Sequence, residues 1–306
     1  MKLNSLNEDI KNNIKDYVIF KPKNKDELQE AVDLWIENKE EALNYHGHIS
    51  TWNTSLIKDM SELFKSKKNK FNDKKETFND NISSWDVSSV TNMESMFWNA
   101  SSFDQPIESW DVSSVIDMNS MFHGASSFNH PLNLWNVSSV MNMRGMFDGA
   151  KSFNQPIDSW DVSLVLSMRG MFNCAQSFNQ PLDSWNVSSV VNMNCMFGGT
   201  PFNQPLNSWD VSSVNDMSFM FSGAKSFNQP LNKWNVSSVI DMSSMFDEAK
   251  SFNQSLTDWN ISSAINKKFM FNKATSFNKN NSPFHIFLEE KYCKYNENET
   301  DECNIS

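Results

Sequence analysis

The sequence predicts an α/β repeat solenoid, with a short parallel strand and a short helix in each unit of 25 residues and a helical cap at its N-terminal end. Three observations predict this fold class. A tryptophan recurs at that period, with one step of 24 between Trp185 and Trp209. Polar and apolar residues alternate around it, and apolar residues three and four positions apart follow. Units this short bury a face only by stacking on their neighbours. The tryptophans that mark the units and are expected to form a buried column are Trp85, Trp110, Trp135, Trp160, Trp185, Trp209, Trp234 and Trp259.

Three parts are expected along the chain. Residues 1–50 form an N-terminal cap, in which a short strand at 17–20 precedes an amphipathic helix. Asn24 and the glutamate three residues later have the pattern of a capping box, which marks the start of that helix. Residues 51–278 form the solenoid of about nine units, and residues 279–306 form a C-terminal cap and a flexible acidic tail.

The first half of each unit has the period of a strand. In one unit, apolar Trp110 and Val112 alternate with polar Ser109, Asp111 and Ser113. Alternation of this kind is typical of a short strand with one buried face. Successive strands are expected to form a parallel sheet with a step of about 4.8 Å per unit.

The second half of each unit has the spacing of one helix face, which predicts a helix of two to three turns. In the same unit, Ser114 is the expected N-cap and Gly124 lies near the expected end. Of the 18 methionines, 16 fall at two positions of this face, so we interpret them as core rather than as a binding groove or a metal site. The apolar positions of this unit are Val115, Met118, Met121, Phe122 and Ala125.

Other polar positions receive structural interpretations. An asparagine that follows a phenylalanine in most units is expected to form a buried ladder that satisfies backbone groups of the turns. Variable positions such as Asp148 are expected to be exposed. The Phe–Asn pairs that define the ladder include Phe153–Asn154, Phe178–Asn179 and Phe227–Asn228.

Composition excludes several classes of function. The chain has 26 Lys and Arg against 37 Asp and Glu, a net charge of −11, without a basic stretch, which argues against a nucleic-acid partner. It lacks an apolar window of about 18 residues, so no membrane span is expected. The N-terminus lacks an apolar core, so we expect no signal peptide and synthesis in the cytoplasm. The four cysteines lack metal-ligand spacing and are expected to be reduced thiols.

An Asp or Asn follows each tryptophan of the period and forms the candidate binding surface. On the expected sheet these side chains point outward on a concave strand face. Adjacent carboxylates suit a cation site or a glycosidase pair, whereas a polar ladder with interspersed Asn is the structural alternative. No other catalytic residues accompany them, so we predict a protein-binding surface, with no catalytic residue, metal or cofactor. The eight positions are Asp86, Asp111, Asn136, Asp161, Asn186, Asp210, Asn235 and Asn260.

The string Ile107-x-x-Trp110-x-Val112-x-x-Val115 resembles the LxxLxLxxN signature of leucine-rich repeats. The longer run FNQPLNSWDVSSVNDMSFMFSGAKSFNQPLNKWNVSSV resembles the BspA-like surface-protein repeat family, and this resemblance extends over residues 52–278. It implies a leucine-rich-repeat-like solenoid with roles in adhesion or interaction, and it supplies no catalytic residues. Bacterial members usually carry export signals or lipid anchors, neither of which is visible in this sequence.

These observations lead to the expectation of a non-enzymatic interaction scaffold. The expected setting is a viral particle or a surface assembly, with other proteins of that assembly as partners. The alternative is a surface adhesin that binds a host protein or a glycan.

Overall fold

The computed structural model describes residues 19–67 and 73–284. Within these ranges two α-helices are present, α1 over Lys25–Glu37 and α2 over Lys39–His46. The described residues contain no extended strand, and their neighbouring units are joined by isolated parallel bridges instead. Short 3-10 helices span Ile49–Thr51, Lys74–Thr77 and Lys279–Asn281.

The predicted α/β leucine-rich-repeat solenoid is therefore wrong, and the expected strand is the first error. Around Trp110 the backbone makes tight turns. The amide of Trp110 donates to the carbonyl of Ile107 at 3.1 Å, and that of Val115 donates to Val112 at 2.9 Å. Each bond closes a turn of four residues, so this segment does not form a ladder with its neighbour.

The expected helix is the second error, because the segment from Val115 to Ala125 is also a run of turns. The amide of Met121 donates to the carbonyl of Met118, three residues earlier, at 3.2 Å. In an α-helix the acceptor would be the carbonyl four residues earlier. Ser120 and Gly124 have φ values of 54° and 67°, in the left-handed region that an α-helix excludes. Ser114 consequently caps no helix.

Alternate backbone amides of this segment join each unit to the next. The amide of Ser120 donates to the carbonyl of Arg144 at 2.7 Å, and that of Phe122 donates to Met146 at 2.9 Å. Because these N–H groups point along the stack, a neighbouring unit satisfies them rather than a carbonyl of the same turn. The unit thus depends on its neighbours for hydrogen bonds as well as for its core.

The core is a set of aromatic columns that run along the stack. All eight tryptophans of the 25-residue period are buried, and Trp160 stacks on Trp185 with ring centroids 6.4 Å apart. Phe172 and Phe197, in a second column, are 5.8 Å apart. Bridged backbones are about 4.8 Å apart. Since these steps differ, successive units are rotated as well as translated.

The ends of the array differ from its middle. Helix α1 begins after Asn24, whose side chain accepts a 2.9 Å hydrogen bond from the amide of Glu27, and it buries one face against the first unit. The strand expected at 17–20 lies partly outside the described residues, and Ile19 and Phe20 are not in a strand. At the other end Phe284 packs edge-on against Phe271, and the remainder of the expected C-terminal cap and acidic tail lies outside the described residues.

Candidate interaction surface

The predicted binding positions form one exposed position per unit, which we call the acidic column. It comprises Asp86, Asp111, Asn136, Asp161, Asn186, Asp210, Asn235 and Asn260, all exposed and each one residue after a buried tryptophan. These positions were expected to lie on a strand face, and the expected strand is absent from the described residues. They lie instead at the start of turns, where the side chain of each accepts from the amide two residues later.

Each side chain of the acidic column holds its own turn. The Oδ1 atom of Asp111 accepts hydrogen bonds from the amide of Ser113 at 3.1 Å and from its hydroxyl at 2.6 Å. Asn136 makes the same two bonds with Ser138, at 3.2 and 2.7 Å. Only an accepting oxygen is needed, so Asp and Asn are interchangeable for the turn. The alternation of the two residue types is thereby explained.

The turn bonds also affect ionisation. The hydroxyl and then the amide of the serine two residues later lower the pKa of Asp111, Asp161 and Asp210, because both donors favour the charged carboxylate. These carboxylates are therefore ionised at neutral pH. The acidic column presents fixed negative charges on turns whose geometry is repeated from unit to unit.

A second row of polar side chains lies at the bridges between units, and the sequence analysis missed it. The Oδ1 atom of Asp117 accepts from the amide of Asn119 at 2.7 Å, and its Oδ2 accepts from Nδ2 of Asn142 in the next unit at 3.1 Å. A polar residue seven positions after each tryptophan was the available signal, but the helix prediction considered only the apolar positions of each unit. This bridge row comprises Asp59, Asn92, Asp117, Asn142, Ser167, Asn192, Asp216, Asp241 and Asn266.

The asparagine ladder is present but is not buried. The amide of Asn179 donates to Oδ1 of Asn154 at 3.0 Å, and Nε2 of Gln180 donates to the same oxygen at 3.1 Å. Asn154 and Asn179 are half-buried and Asn228 is exposed, which corrects the expected burial. The ladder links consecutive units through backbone amides, so its role is structural.

Asp148, expected to be exposed, is buried in a polar cluster. Its Oδ2 lies 3.4 Å from Nδ1 of His123, and its Oδ1 accepts from Nδ2 of Asn173 at 3.0 Å. The ring of His123 in turn stacks on Trp98 at 3.9 Å. The cluster spans four consecutive units, and each of its members contacts the next, so it joins units rather than surrounding a substrate.

The described residues hold neither a metal-ligand cluster nor a membrane-spanning helix. They contain no group of three or more His, Cys, Asp or Glu side chains placed to hold a metal ion. No helix within them is both long and apolar enough to cross a membrane.

Stacked units of turns, with the same polar side chains exposed at each step, define this chain as a repeat protein. It belongs to the family described as "Mycoplasma protein of unknown function, DUF285", which matches residues 37–133, 68–184, 129–209 and 183–284. That description names no activity, and it does not confirm the BspA-like leucine-rich-repeat resemblance. No curated protein matches the chain.

Proposed function

We propose that the chain is a non-enzymatic scaffold for protein–protein interaction and that the acidic column contacts a basic partner. The observation that carries the proposal is the set of eight equivalent exposed positions, of which four are carboxylates. Their turns are held by internal hydrogen bonds, so binding would immobilise little that is not already fixed. Residues 81–250 contain 6 Lys and Arg against 15 Asp and Glu, a net charge of −9, which attracts positive partners.

Repetition supports binding over catalysis. Catalysis requires a few different groups that converge on one reacting atom. The acidic column instead repeats one residue type in one geometry, and neutral Asn136 and Asn186 make the same turn bonds as the carboxylates. Each unit that a partner contacts adds a modest amount of binding free energy. No single position differs from the others in the way that a reaction centre would.

The proposed setting is a viral particle or a surface assembly of which the chain is a structural component. The alternative is a surface adhesin for a host protein or a glycan, and the resemblance of the repeats to BspA-like surface proteins favours it. Fractionation of the native source separates the two. A component of a particle copurifies with particles, and an adhesin is labelled by an antibody on intact cells.

Binding through the acidic column is tested with a variant in which Asp86, Asp111, Asp161 and Asp210 are all replaced by Asn. Asn keeps the turn bonds, so the variant should fold and lose only charge. Its matched control carries the same number of Asp→Asn changes at exposed positions that are not members of the column, and has the same net charge. The control positions are Asp104, Asp158, Asp183 and Asp258.

The measurement compares proteins captured from an extract of the native source by the immobilised wild-type chain and by both variants, with identification by mass spectrometry. We expect wild type and control to retain the same basic proteins and the column variant to lose them, with slower association of each purified protein. Equal capture by the two variants would contradict a role for the column. Complete loss from a single Asp→Asn change would indicate one discrete site instead.

A further inference from the structure

A row of exposed aliphatic side chains runs along the stack immediately beside the bridge row. In six units the residue that precedes the bridge residue is a large apolar one. The side chains are between 40% and 86% exposed, although each is large and apolar. We call this set the aliphatic row; it comprises Ile116, Met141, Leu166, Val191, Ile240 and Ile265.

The fold holds this row in register but does not require it to be apolar. The amide of Met141 donates to the carbonyl of Ile116, and that of Leu166 donates to Met141, each at 2.9 Å. The equivalent positions in the other units are Lys58, Thr91 and Asn215, all exposed, and Asn215 makes the same backbone bond at 2.9 Å. A polar side chain therefore fits this position without disturbing the stack.

The apolar surface widens at the centre of the array. Leu164 is 53% exposed at a position where the neighbouring units have Ser139 and Ser189. Leu164 and Leu166 thus place two exposed aliphatic side chains in one unit, with Met141 and Val191 in the units on either side. Contiguous exposed apolar surface of this kind marks interaction sites on folded proteins.

The step of the row from unit to unit favours a helical partner over an extended one. The backbone of the row is bonded directly to the bridge residues, so it advances by about 4.8 Å per unit, the distance between bridged backbones. Side chains three and four residues apart on a helix repeat at about 4.5–6 Å along its axis. Alternate side chains of a strand repeat at about 6.6 Å, so a strand laid along the stack loses register within two or three units. From Ile116 to Val191 the row covers about 14 Å, or about ten residues of helix.

The carboxylates near the aliphatic row favour a positively charged partner. The unit of Ile116 has Asp111 in the acidic column and Asp117 in the bridge row, and Asp216 and Asp241 lie further along that row. Arg144 and Arg169 lie two positions beyond the bridge row, and the Nε of Arg169 donates to Oδ1 of Asn194 at 3.0 Å. The acidic column and the bridge row together carry eight carboxylates, against Arg144 and Arg169, Lys268 at the same repeat position, and Lys58 beside Asp59. A second copy of the chain would bring another net charge of −11, which opposes self-association through this surface.

We propose that the aliphatic row is the docking surface for a basic amphipathic α-helix of a partner protein, laid along the stack. Its apolar side chains pack between those of the row, and its Lys and Arg side chains reach the acidic column and the bridge row. The inference rests on the proposed function, since it specifies the kind of partner that the scaffold binds. It adds a requirement that charge alone does not impose, namely helical spacing of the partner's apolar residues.

The test uses the full chain and a fluorescein-labelled peptide of 18 residues made of Leu and Lys, with Leu at helical spacing. A control peptide of the same composition alternates Leu and Lys, as in a strand. The row variant is Met141→Asn/Leu166→Asn, which copies the natural Asn215. The matched protein control is Leu134→Ser, because Leu134 is 73% exposed at a different repeat position where neighbouring units have Ser109 and Ser159.

Fluorescence anisotropy is expected to show that wild type and Leu134→Ser bind the helical peptide equally. The row variant should bind it at least tenfold more weakly, and wild type should bind the alternating peptide at least tenfold more weakly. Equal binding of the two peptides, or unchanged affinity of the row variant, overturns the proposal. So does light scattering that shows a wild-type dimer dispersed by the row variant, since the row then binds a second copy. Capture that depends on the acidic column but not on the row would leave the scaffold proposal standing and reject the helix.

Discussion

The indole Nε1–H of Trp160 donates a 2.9 Å hydrogen bond to the carbonyl oxygen of Leu132 in the preceding unit. The same oxygen accepts the amide of Trp135 at 3.0 Å and so closes a turn of its own unit. One backbone atom therefore serves both the fold of a unit and its attachment to the next. The tryptophan column couples neighbouring units by a directional bond as well as by burial.

Replacement of Trp160 by Ala is expected to lower the free energy of unfolding by about 3–5 kcal/mol, because both neighbouring units line the cavity that remains. Trp160→Phe should cost less, since the oxygen of Leu132 keeps the bond from Trp135 and the lost hydrogen bond contributes only about 1 kcal/mol. Urea denaturation followed by circular dichroism measures both. Asp158→Ala, at an exposed site, is the control and should change stability by less than about 0.5 kcal/mol. Similar losses at positions 160 and 158 would show that the column is not central to stability.

Two glycines at the same repeat position should respond differently to alanine. Gly124 and Gly149 both have a φ of 67°, so Ala is strained at either, by about 1–2 kcal/mol. A Cβ on Gly124 would also lie 2.3 Å from Oδ1 of Asn99, which is buried, whereas a Cβ on Gly149 would meet Gly124 at an ordinary 3.6 Å. Gly124→Ala should therefore be the more destabilising by at least about 1 kcal/mol.

A double-mutant cycle checks the cause of that difference. Adding Asn99→Gly removes the blocking oxygen, so Gly124→Ala should cost no more in that background than Gly149→Ala costs in the wild-type chain. Denaturation of the four proteins of the cycle gives the coupling energy. Strict additivity would mean that Asn99 does not obstruct the new methyl group.

The sequence was sufficient for the period and for the burial of the tryptophans and of apolar positions such as Met118 and Phe122. It was insufficient for the secondary structure and for the burial of polar side chains such as Asp148. Residues such as Met118, Met121 and Phe122 have helical spacing, yet a succession of overlapping turns buries residues at the same intervals. The distinguishing signal was the pair of positions at Ser120 and Gly124, where other units have Gly145 and Gly149. Gly and small polar residues four apart indicate two left-handed residues per unit. The left-handed conformation is also adopted by Phe219, which weakens that signal.

Sequence analysis identified the acidic column by its recurrence but misjudged its surroundings. A serine follows two residues after Asp111, and another follows two residues after Asn136. An Asp or Asn followed in this way is typical of a turn that the Asp or Asn side chain stabilises, and the sequence alone shows the pattern. The aliphatic row was hidden for a different reason. Ile116 directly follows buried Val115, and a helix prediction has no basis for separating one apolar neighbour from the other.

The carboxylates of the acidic column should contribute to the acid sensitivity of the fold. Hydrogen bonds from the following serines lower the pKa of Asp111 and Asp161 below the ordinary Asp value of 3.8. A lowered pKa in the folded state contributes stability that is present above pH 3.8 and lost as the pH falls toward the folded pKa. We expect the Asp111→Asn/Asp161→Asn variant to lose less stability than wild type between pH 5 and about 2. The urea midpoint of each protein is measured over this pH range. Equal changes of the midpoint with pH in the two proteins would contradict a contribution of Asp111 and Asp161 to acid sensitivity.

Asp247 should show the opposite dependence on pH. Burial raises its pKa, and the neighbouring Glu248 adds to the increase, although Nδ2 of Asn272 donates to Oδ1 of Asp247 at 2.8 Å. A raised pKa in the folded state means that stability falls as the pH rises from 3.8 through the folded pKa. Asp247→Asn keeps an oxygen for Asn272 and removes the charge, so it should match wild type in acid and exceed it at neutral pH. Thermal unfolding at pH 4 and pH 7 measures the difference. A variant less stable than wild type at pH 7 would mean that the carboxylate is favourably paired, and that burial does not determine the pKa of Asp247.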